Sequence, residues 1–183
     1  MIEIRIHGRG GQGAVVASKM LVTAAAREGK KVQAFPLFGA ERRGAPVAAF
    51  ARIDDQKIRI HSEIYNPDCV IVLDPVLDKT VNVTAGLKDG GFILLNTTQT
   101  PEAYPFADRF RVATVDASGI ALKHRLGSRT EPIVNTAILG AWSRFTGFIG
   151  IEALAETIRE AIPGKGKENE TAAREAYESV KIK

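Results

Sequence analysis

A glycine-rich stretch close to the N-terminus constrains the fold more than any other feature of this sequence. Ile2, Ile4 and Ile6 alternate with polar residues, a pattern that predicts a β-strand. The stretch Gly8-Arg9-Gly10-Gly11-Gln12-Gly13 follows with G-x-G-x-x-G spacing, and the mostly apolar residues 14–22 after it predict a buried helix. Strand, tight turn and helix in this order indicate the opening unit of an α/β domain.

Two interpretations of the turn remain open. Glycines let the backbone approach a ligand closely, and the first N–H groups of the helix have no partner within the helix, so a phosphate would gain from both. Alternatively, the glycines only allow the strand, turn and helix to pack closely. The candidate anion-binding residues here are Gly8, Arg9, Gly10, Gly11, Gln12 and Gly13.

A dinucleotide is disfavoured as the ligand. The second predicted strand, residues 31–35, does not end in the acidic residue that binds a ribose in dinucleotide-binding domains. Gln33 stands near that place, and Glu41 comes later in the chain, among arginines. NAD is therefore not the expected cofactor.

A second candidate site lies in the loop of residues 36–46, which prolines and glycines keep from being one long regular element. Arg42 and Arg43 are adjacent there, and two guanidinium groups can bind phosphate or carboxylate bidentately. The alternative is a solvated loop in which the arginines pair with Glu41.

Composition excludes several classes of protein. A chain of 183 residues that is 45% hydrophobic and 25% charged predicts a single domain over residues 1–183. The net charge of +4 is mild and its basic residues are scattered, so we expect no nucleic-acid partner. No apolar run reaches transmembrane length and no signal peptide is apparent, so we expect a cytoplasmic protein without membrane contact.

Catalytic and metal-binding residues are not evident. Cys69 is the only cysteine, so the chain can form no internal disulfide and cannot supply the four thiolates that an iron–sulfur cluster usually needs. It lies in an apolar run, which predicts a buried, inert thiol. His7, His61 and His124 show no metal-ligand spacing, so no metal is predicted, and the catalytic residues remain unknown.

The remaining chain predicts an α/β fold. Residues 47–53 and 57–61 suggest an inserted β-hairpin, and residues 69–73 and 92–95 suggest buried strands of a mostly parallel sheet with helices on both faces. Asp74 follows a buried strand, where it either contacts a ligand or caps the next segment. C-terminal helices are predicted over the stretches 131–142, 151–162 and 168–180, and Gly140 within the first of them permits close packing.

Five segments in order resemble the gamma subunit of 2-oxoacid:ferredoxin oxidoreductases. They are Gly8-Arg9-Gly10-Gly11-Gln12-Gly13, residues 38–47, residues 64–75, residues 86–91 and residues 132–137. The form of residues 38–47 is that of the pyruvate branch. The resemblance implies Rossmann-like topology in a subunit that is not active alone, within an enzyme that oxidatively decarboxylates pyruvate or a related 2-oxoacid. Coenzyme A takes the acyl group and ferredoxin takes the electrons.

The resemblance also implies which subunits hold the cofactors. This chain alone holds no cofactor, while thiamine diphosphate and iron–sulfur clusters belong to partners among the alpha, beta and delta subunits. One hypothesis is that Arg9, Arg42, Arg43 and the glycine turn help to hold coenzyme A at the active-site entrance. A second is that these motifs dock on the thiamine-binding subunits. A stand-alone nucleotide-binding module and a 2-oxoisovalerate branch remain alternatives.

Overall fold

The computed structural model describes residues 1–37 and 44–183. The strands in this part of the chain are β1 (Ile2–Arg9), β2 (Lys31–Pro36), β3 (Pro46–Asp54), β4 (Cys69–Val72), β5 (Phe92–Asn96), β6 (Arg111–Val115) and β7 (Lys181–Ile182). The helices are α1 (Ala14–Arg27), α2 (Leu77–Thr80), α3 (Ala117–Lys123), α4 (Asn135–Thr146), α5 (Ile151–Ala161) and α6 (Gly166–Ser179), with a short 3₁₀ helix at Pro101–Ala103.

The described strands form one sheet in the order β2-β3-β1-β4-β5-β6-β7. Neighbours from β1 through β4 and β5 to β6 pair in parallel, whereas β3 is antiparallel to both β1 and β2, and β7 is antiparallel to β6. Only β3 and β7 therefore run against the common direction. The predicted α/β class with a mostly parallel sheet and C-terminal helices is confirmed.

Apolar layers cover both faces of the sheet. On β4, Cys69 and Ile71 belong to the core under α1 and α3–α6, while Val70 and Val72 belong to the core on the other face. Burial on both sides explains why this strand is continuously apolar. Helices on both faces were predicted, and on the second face the described residues form the four-residue α2 and the 3₁₀ helix.

The predicted hairpin of residues 47–53 with residues 57–61 is wrong, because residues 57–61 form no strand. Residues 47–53 lie within β3, but β3 pairs with β2 and β1, so neither of its edges is open to residues 57–61. The carbonyl groups of Ile60 and Ser62 instead accept hydrogen bonds from Arg52, which is 1% exposed. The guanidinium also contacts Glu3 and Gln33, each at 2.9 Å. The antiparallel hairpin of this fold is thus β2–β3.

The predicted helix start at residue 131 is also wrong. Residues 128–131 form a turn, and Pro132 makes an isolated bridge with Gly127. The Ile133 amide then donates to the Leu126 carbonyl, so α4 begins only at Asn135. The edge strand β7 was not predicted, because two residues are too few to show a period.

Two helix ends have the geometry that their residues favour. Gly29 follows the end of α1 with φ +82°, the left-handed conformation typical of a residue after a helix C-cap. Asp116 caps α3, accepting a 2.8 Å hydrogen bond from the Gly119 amide. No helix in residues 1–37 or 44–183 is both long and apolar enough to cross a membrane.

Candidate functional site

The glycine turn joins β1 to α1 at the carboxyl end of the central strands. Gly11 and Gly13 have φ values of +100° and +78°, so this turn requires glycine at both positions. Gly8 is closely packed: a Cβ built on it would lie 3.2 Å from Leu73 Cδ1, so the leucine side chain would have to shift slightly. Of the residues that the structure describes, none lies within 4 Å of a Cβ built on Gly11, which is itself exposed.

The Gln12 side chain braces the turn from within. Its Oε1 accepts a 2.8 Å hydrogen bond from the Arg9 amide, and its Nε2 donates at 2.7 Å to Asp74 Oδ2. Residues 62 positions apart are thereby linked. The Gln12 side chain therefore joins the end of β1 to the residues that follow β4, and this holds the turn in shape.

Asp74 connects β4 to the turn as well as to the segment after it. Its Oδ1 accepts a 2.9 Å hydrogen bond from the Val76 amide, so the carboxylate orders the turn before α2, although α2 itself has no side-chain cap. Its Oδ2 lies 3.1 Å from Arg9 Nε, an ion-pair distance without the angle of a hydrogen bond. The Asp74 side chain is 11% exposed, so most of its contacts are with the protein itself.

Arg42 and Arg43, the other predicted binding residues, lie outside the described residues. The next residue in sequence, Gly44, donates a 3.1 Å backbone hydrogen bond to the Gly10 carbonyl, and Gly10 donates at 2.9 Å to the Ala45 carbonyl. The segment that begins at Gly44 therefore lies directly beside the glycine turn.

Two asparagines that the sequence analysis did not select as site residues border this edge. Asn96, at the end of β5, donates to the Leu73 carbonyl at 2.8 Å and to Ser118 Oγ at 2.9 Å, which ties two strands to α3. Asn135 is the first residue of α4, and a Cβ built on Gly13 would lie only 2.5 Å from its Nδ2. The sequence offered one signal for the second residue, the segment 132–137 of the family resemblance.

His7 and Cys69 are kept neutral by their surroundings. His7 Nε2 accepts a 2.9 Å hydrogen bond from Arg5 Nε, and burial together with the Arg5 charge lowers the pKa of His7 to about 4. Burial raises the pKa of the Cys69 thiol, in agreement with the predicted buried side chain. In the part of the chain that the structure describes, no three His, Cys, Asp or Glu side chains are grouped to hold a metal.

The fold and the turn together define the class of protein. It is an α/β protein whose glycine-rich turn leads from a central strand of a mostly parallel sheet into a helix, with polar side chains gathered at the carboxyl ends of the strands. Residues 3–179 match the family described as pyruvate ferredoxin/flavodoxin oxidoreductase. Because the match spans nearly the whole chain, the protein belongs to this family, as the resemblance predicted.

Curated relatives are similar over their full length. The "Pyruvate/ketoisovalerate oxidoreductases common subunit gamma" of Thermococcus kodakarensis is 54% identical over 186 residues, covering 100% of this chain and 98% of that protein. The "Pyruvate synthase subunit PorC" of Methanothermobacter marburgensis is 52% identical over 182 residues, covering 99% and 98%. The relatives are thus subunits of oxidoreductases, which confirms the predicted enzyme class.

Solved structures agree with this assignment. The pyruvate oxidoreductase subunit PORC of Thermotoga maritima is 38% identical with a TM-score of 0.81, covering 99% of this chain and 97% of that one. The 2-oxoglutarate:ferredoxin oxidoreductase of Magnetococcus marinus is 22% identical with a TM-score of 0.71, covering 97% of this chain and 30% of that one. At the second level of identity the likeness shows the fold alone.

Proposed function

We propose that this chain is the gamma subunit of a multi-subunit pyruvate:ferredoxin oxidoreductase, in which it assembles with alpha, beta and delta subunits. The observation that carries the proposal is the 54% identity, over the full chain, to a relative named as a common gamma subunit. The complex converts pyruvate and coenzyme A to acetyl-CoA and carbon dioxide, and passes the electrons to ferredoxin. Thiamine diphosphate and iron–sulfur clusters reside on the partners, and residues 1–183 act as one cytoplasmic domain.

Within that complex, we assign the glycine turn to the entrance used by coenzyme A. Gly11 is exposed, with no described residue within 4 Å of a Cβ built on it, and the partly exposed Arg9 lies at the same turn. Gly44, the residue after Arg42 and Arg43, is hydrogen-bonded to Gly10. Coenzyme A supplies a pyrophosphate and a 3′-phosphate, ligands suited to backbone N–H groups and guanidinium groups. The Magnetococcus marinus enzyme, which shares the fold, is described with coenzyme A bound.

Docking on a partner subunit is a second role that specific observations favour. Exposed apolar side chains stand close in sequence to the site: Val16 after the turn, Val76 after Asp74 and Ile133 before Asn135. A contiguous exposed apolar patch is typical of a surface that another protein covers, and in this role the three side chains contribute to one. In this role, Arg42 and Arg43 pair with acidic side chains across the interface.

The branch of the family is the remaining alternative. The Thermococcus kodakarensis relative is named for both pyruvate and ketoisovalerate oxidoreductases, so one gamma subunit there serves two enzymes. We propose pyruvate as the main substrate from the form of residues 38–47. The ratio of kcat/KM for pyruvate to that for 2-oxoisovalerate, measured in the purified complex, tests this choice.

Replacing Arg42→Ala together with Arg43→Ala separates the coenzyme A role from the docking role. If the arginines bind coenzyme A, its KM rises about tenfold or more while the complex stays intact on gel filtration. If they dock, the complex dissociates. The control is Arg109→Ala with Arg111→Ala. These residues lie at the amino end of β6, whereas the glycine turn lies at the carboxyl ends of the parallel strands, so we expect both properties to stay unchanged. Unchanged KM and unchanged assembly in the first double variant contradict both roles.

A further inference from the structure

A cavity of about 430 Å³ lies at the outer edge of β6, away from the glycine turn. The strands β4 and β5 separate β6 from β1, where that turn begins. Residues of β6, β7, α3 and α6 contribute to the walls of this edge cavity. Pockets that bind small molecules enclose about 300–1,000 Å³, so the edge cavity has the size to hold a small metabolite.

A buried hydroxyl group lies at the edge cavity without a partner. Thr114 is a lining residue that is 0% exposed, and its Oγ1 has no hydrogen-bond partner in the part of the chain that the structure describes. Native proteins rarely leave a buried hydroxyl unpaired, because its loss of water is then not compensated. Lys181 stands directly opposite Thr114 in the β6–β7 pair, so the two side chains share one face of the sheet. Both can donate to the same ligand group.

The charged side chains around the edge cavity are not all paired with one another. Lys123 Nζ donates to Glu175 Oε1 at 2.8 Å, so these two charges compensate each other. Asp116 accepts from the Gly119 amide through Oδ1 but, among the described residues, forms no ion pair with Lys181. One carboxylate and one ammonium group therefore border the same cavity without neutralising each other.

The spacing of these groups fits a ligand with two opposite charges. Asp116 comes directly after β6, two residues beyond Thr114, and two residues of extended chain span about 6–7 Å. An α-amino acid carries its carboxylate and ammonium groups on one carbon atom, so a hydrogen bond at each end lets it span such a distance. A ligand with a single charge leaves either Asp116 or Lys181 without compensation.

We propose that the edge cavity binds a free α-amino acid. The ligand carboxylate accepts hydrogen bonds from Lys181 Nζ and Thr114 Oγ1, and the ligand ammonium group donates to Asp116. Bound there, the amino acid joins β6 to β7 and stabilises the folded chain. The site does not depend on the proposed function, because every one of these contacts comes from this chain alone.

Thermal unfolding of the isolated full chain tests the class of ligand. The twenty common amino acids are added singly at about 10 mM, and we expect at least one to raise the midpoint by about 3 °C or more. For the most effective one, the analogue without the carboxylate and the analogue without the amino group each give less than half of that shift. No shift with any amino acid, or a full shift with either analogue, overturns the proposal.

Thr114→Val tests the buried hydroxyl, because valine keeps the shape of the side chain and removes the oxygen. Without ligand, we expect the midpoint to stay the same or rise, since an unpaired buried group is lost. The Kd for the amino acid, measured by titration calorimetry, rises about fivefold or more. A lower midpoint with an unchanged Kd shows a purely structural hydroxyl and overturns the proposal.

Thr136→Val is the matched control for the hydroxyl. Thr136 is also 0% exposed, but its Oγ1 donates to Asn169 at 2.8 Å. Removal of this paired hydroxyl lowers the midpoint, because the Asn169 oxygen loses its donor, and leaves the Kd for the amino acid unchanged.

Lys181→Gln tests the charge, and we expect the Kd to rise about tenfold. Lys31→Gln is its control, since Lys31 is an exposed lysine on β2, the strand at the opposite edge of the sheet. Equal Kd values for Lys181→Gln and the unaltered chain overturn the site. Because these measurements need no catalysis, a complex without pyruvate activity would refute only the proposed function.

Discussion

At the scale of single residues, the turn is held by side chains that satisfy one another. Gln12 uses its acceptor on the Arg9 amide and its donor on Asp74, while Asp74 uses its second oxygen on the Val76 amide. These contacts fix the backbone of the turn without covering its outer side. A rigid turn with an open side is suited to bind a ligand, because little conformational entropy is lost on binding.

His7 gives a prediction about pH at this scale. Its pKa is lowered from 6.5 to about 4 by burial and by Arg5, so the unfolded chain takes up a proton below pH 6.5 that the folded chain takes up only near pH 4. The free energy of unfolding therefore falls as the pH drops from 6.5 to 4, by about 3 kcal/mol at most. Denaturant unfolding of the chain at pH 7.5, 6.0 and 4.5 measures the loss.

The comparison variant for this prediction is His7→Gln, because glutamine can still accept from Arg5 but does not titrate. We expect its stability to depend less on pH over the same range. His61→Gln is the control, since His61 is exposed, and it keeps the dependence of the unaltered chain. A His7→Gln variant that loses as much stability as the unaltered chain contradicts the assignment.

The glycine turn could be predicted from the sequence, but the contacts between residues far apart in the chain could not. Glycine spacing predicts the turn because backbone conformation at Gly11 and Gly13 is a property of those residues themselves. The pairing of Gln12 with Asp74 depends instead on strands brought together by the whole fold. The same holds for Asn135, whose position against Gly13 follows from the packing of α4.

At the scale of elements, Gly140 sets the distance between α4 and α6. A Cβ built on it would lie 1.8 Å from the Ala173 carbonyl oxygen, so the two helices approach closely only because position 140 has no side chain. Asn135, at the start of the same helix, depends on this placement for its position against Gly13. Close packing of α4 therefore affects both stability and the candidate site.

Gly140→Ala should destabilise the chain by about 3 kcal/mol, because the backbone of α6 must move away from the added methyl group. Denaturant unfolding followed by far-UV circular dichroism measures the change. Gly164→Ala is the control: its positive φ of +78° strains any side chain, but no described residue lies within 4 Å of the added Cβ, so we expect a loss of only about 1 kcal/mol. Equal losses in the two variants would show that crowding against Ala173 is not the cause.

Errors in the predicted elements have long-range causes as well. Residues 57–61 show apolar and polar alternation typical of a strand, but both edges of β3 are taken by β1 and β2. Apolar residues before Asn135 suggest a longer α4, but the backbone of Pro132 pairs with Gly127 instead. Local patterns predicted the elements with the largest apolar faces and failed where a tertiary contact competed.

At the scale of the whole molecule, the polar side chains of the candidate site lie together at the carboxyl ends of the parallel strands. The carboxyl ends of β1, β4 and β5 bring the glycine turn, Asp74 and Asn96 together, and α4 adds Asn135. Open α/β sheets bind ligands just outside the carboxyl ends of their strands.

The most direct test of this account is purification of the native complex. The chain is tagged in its own cells and isolated gently without oxygen, and the material that elutes is assayed for reduction of ferredoxin. We predict partner subunits that carry thiamine diphosphate and iron–sulfur clusters, with activity that requires both pyruvate and coenzyme A. A chain that elutes alone, under conditions that keep other complexes of the same cells intact, contradicts the account.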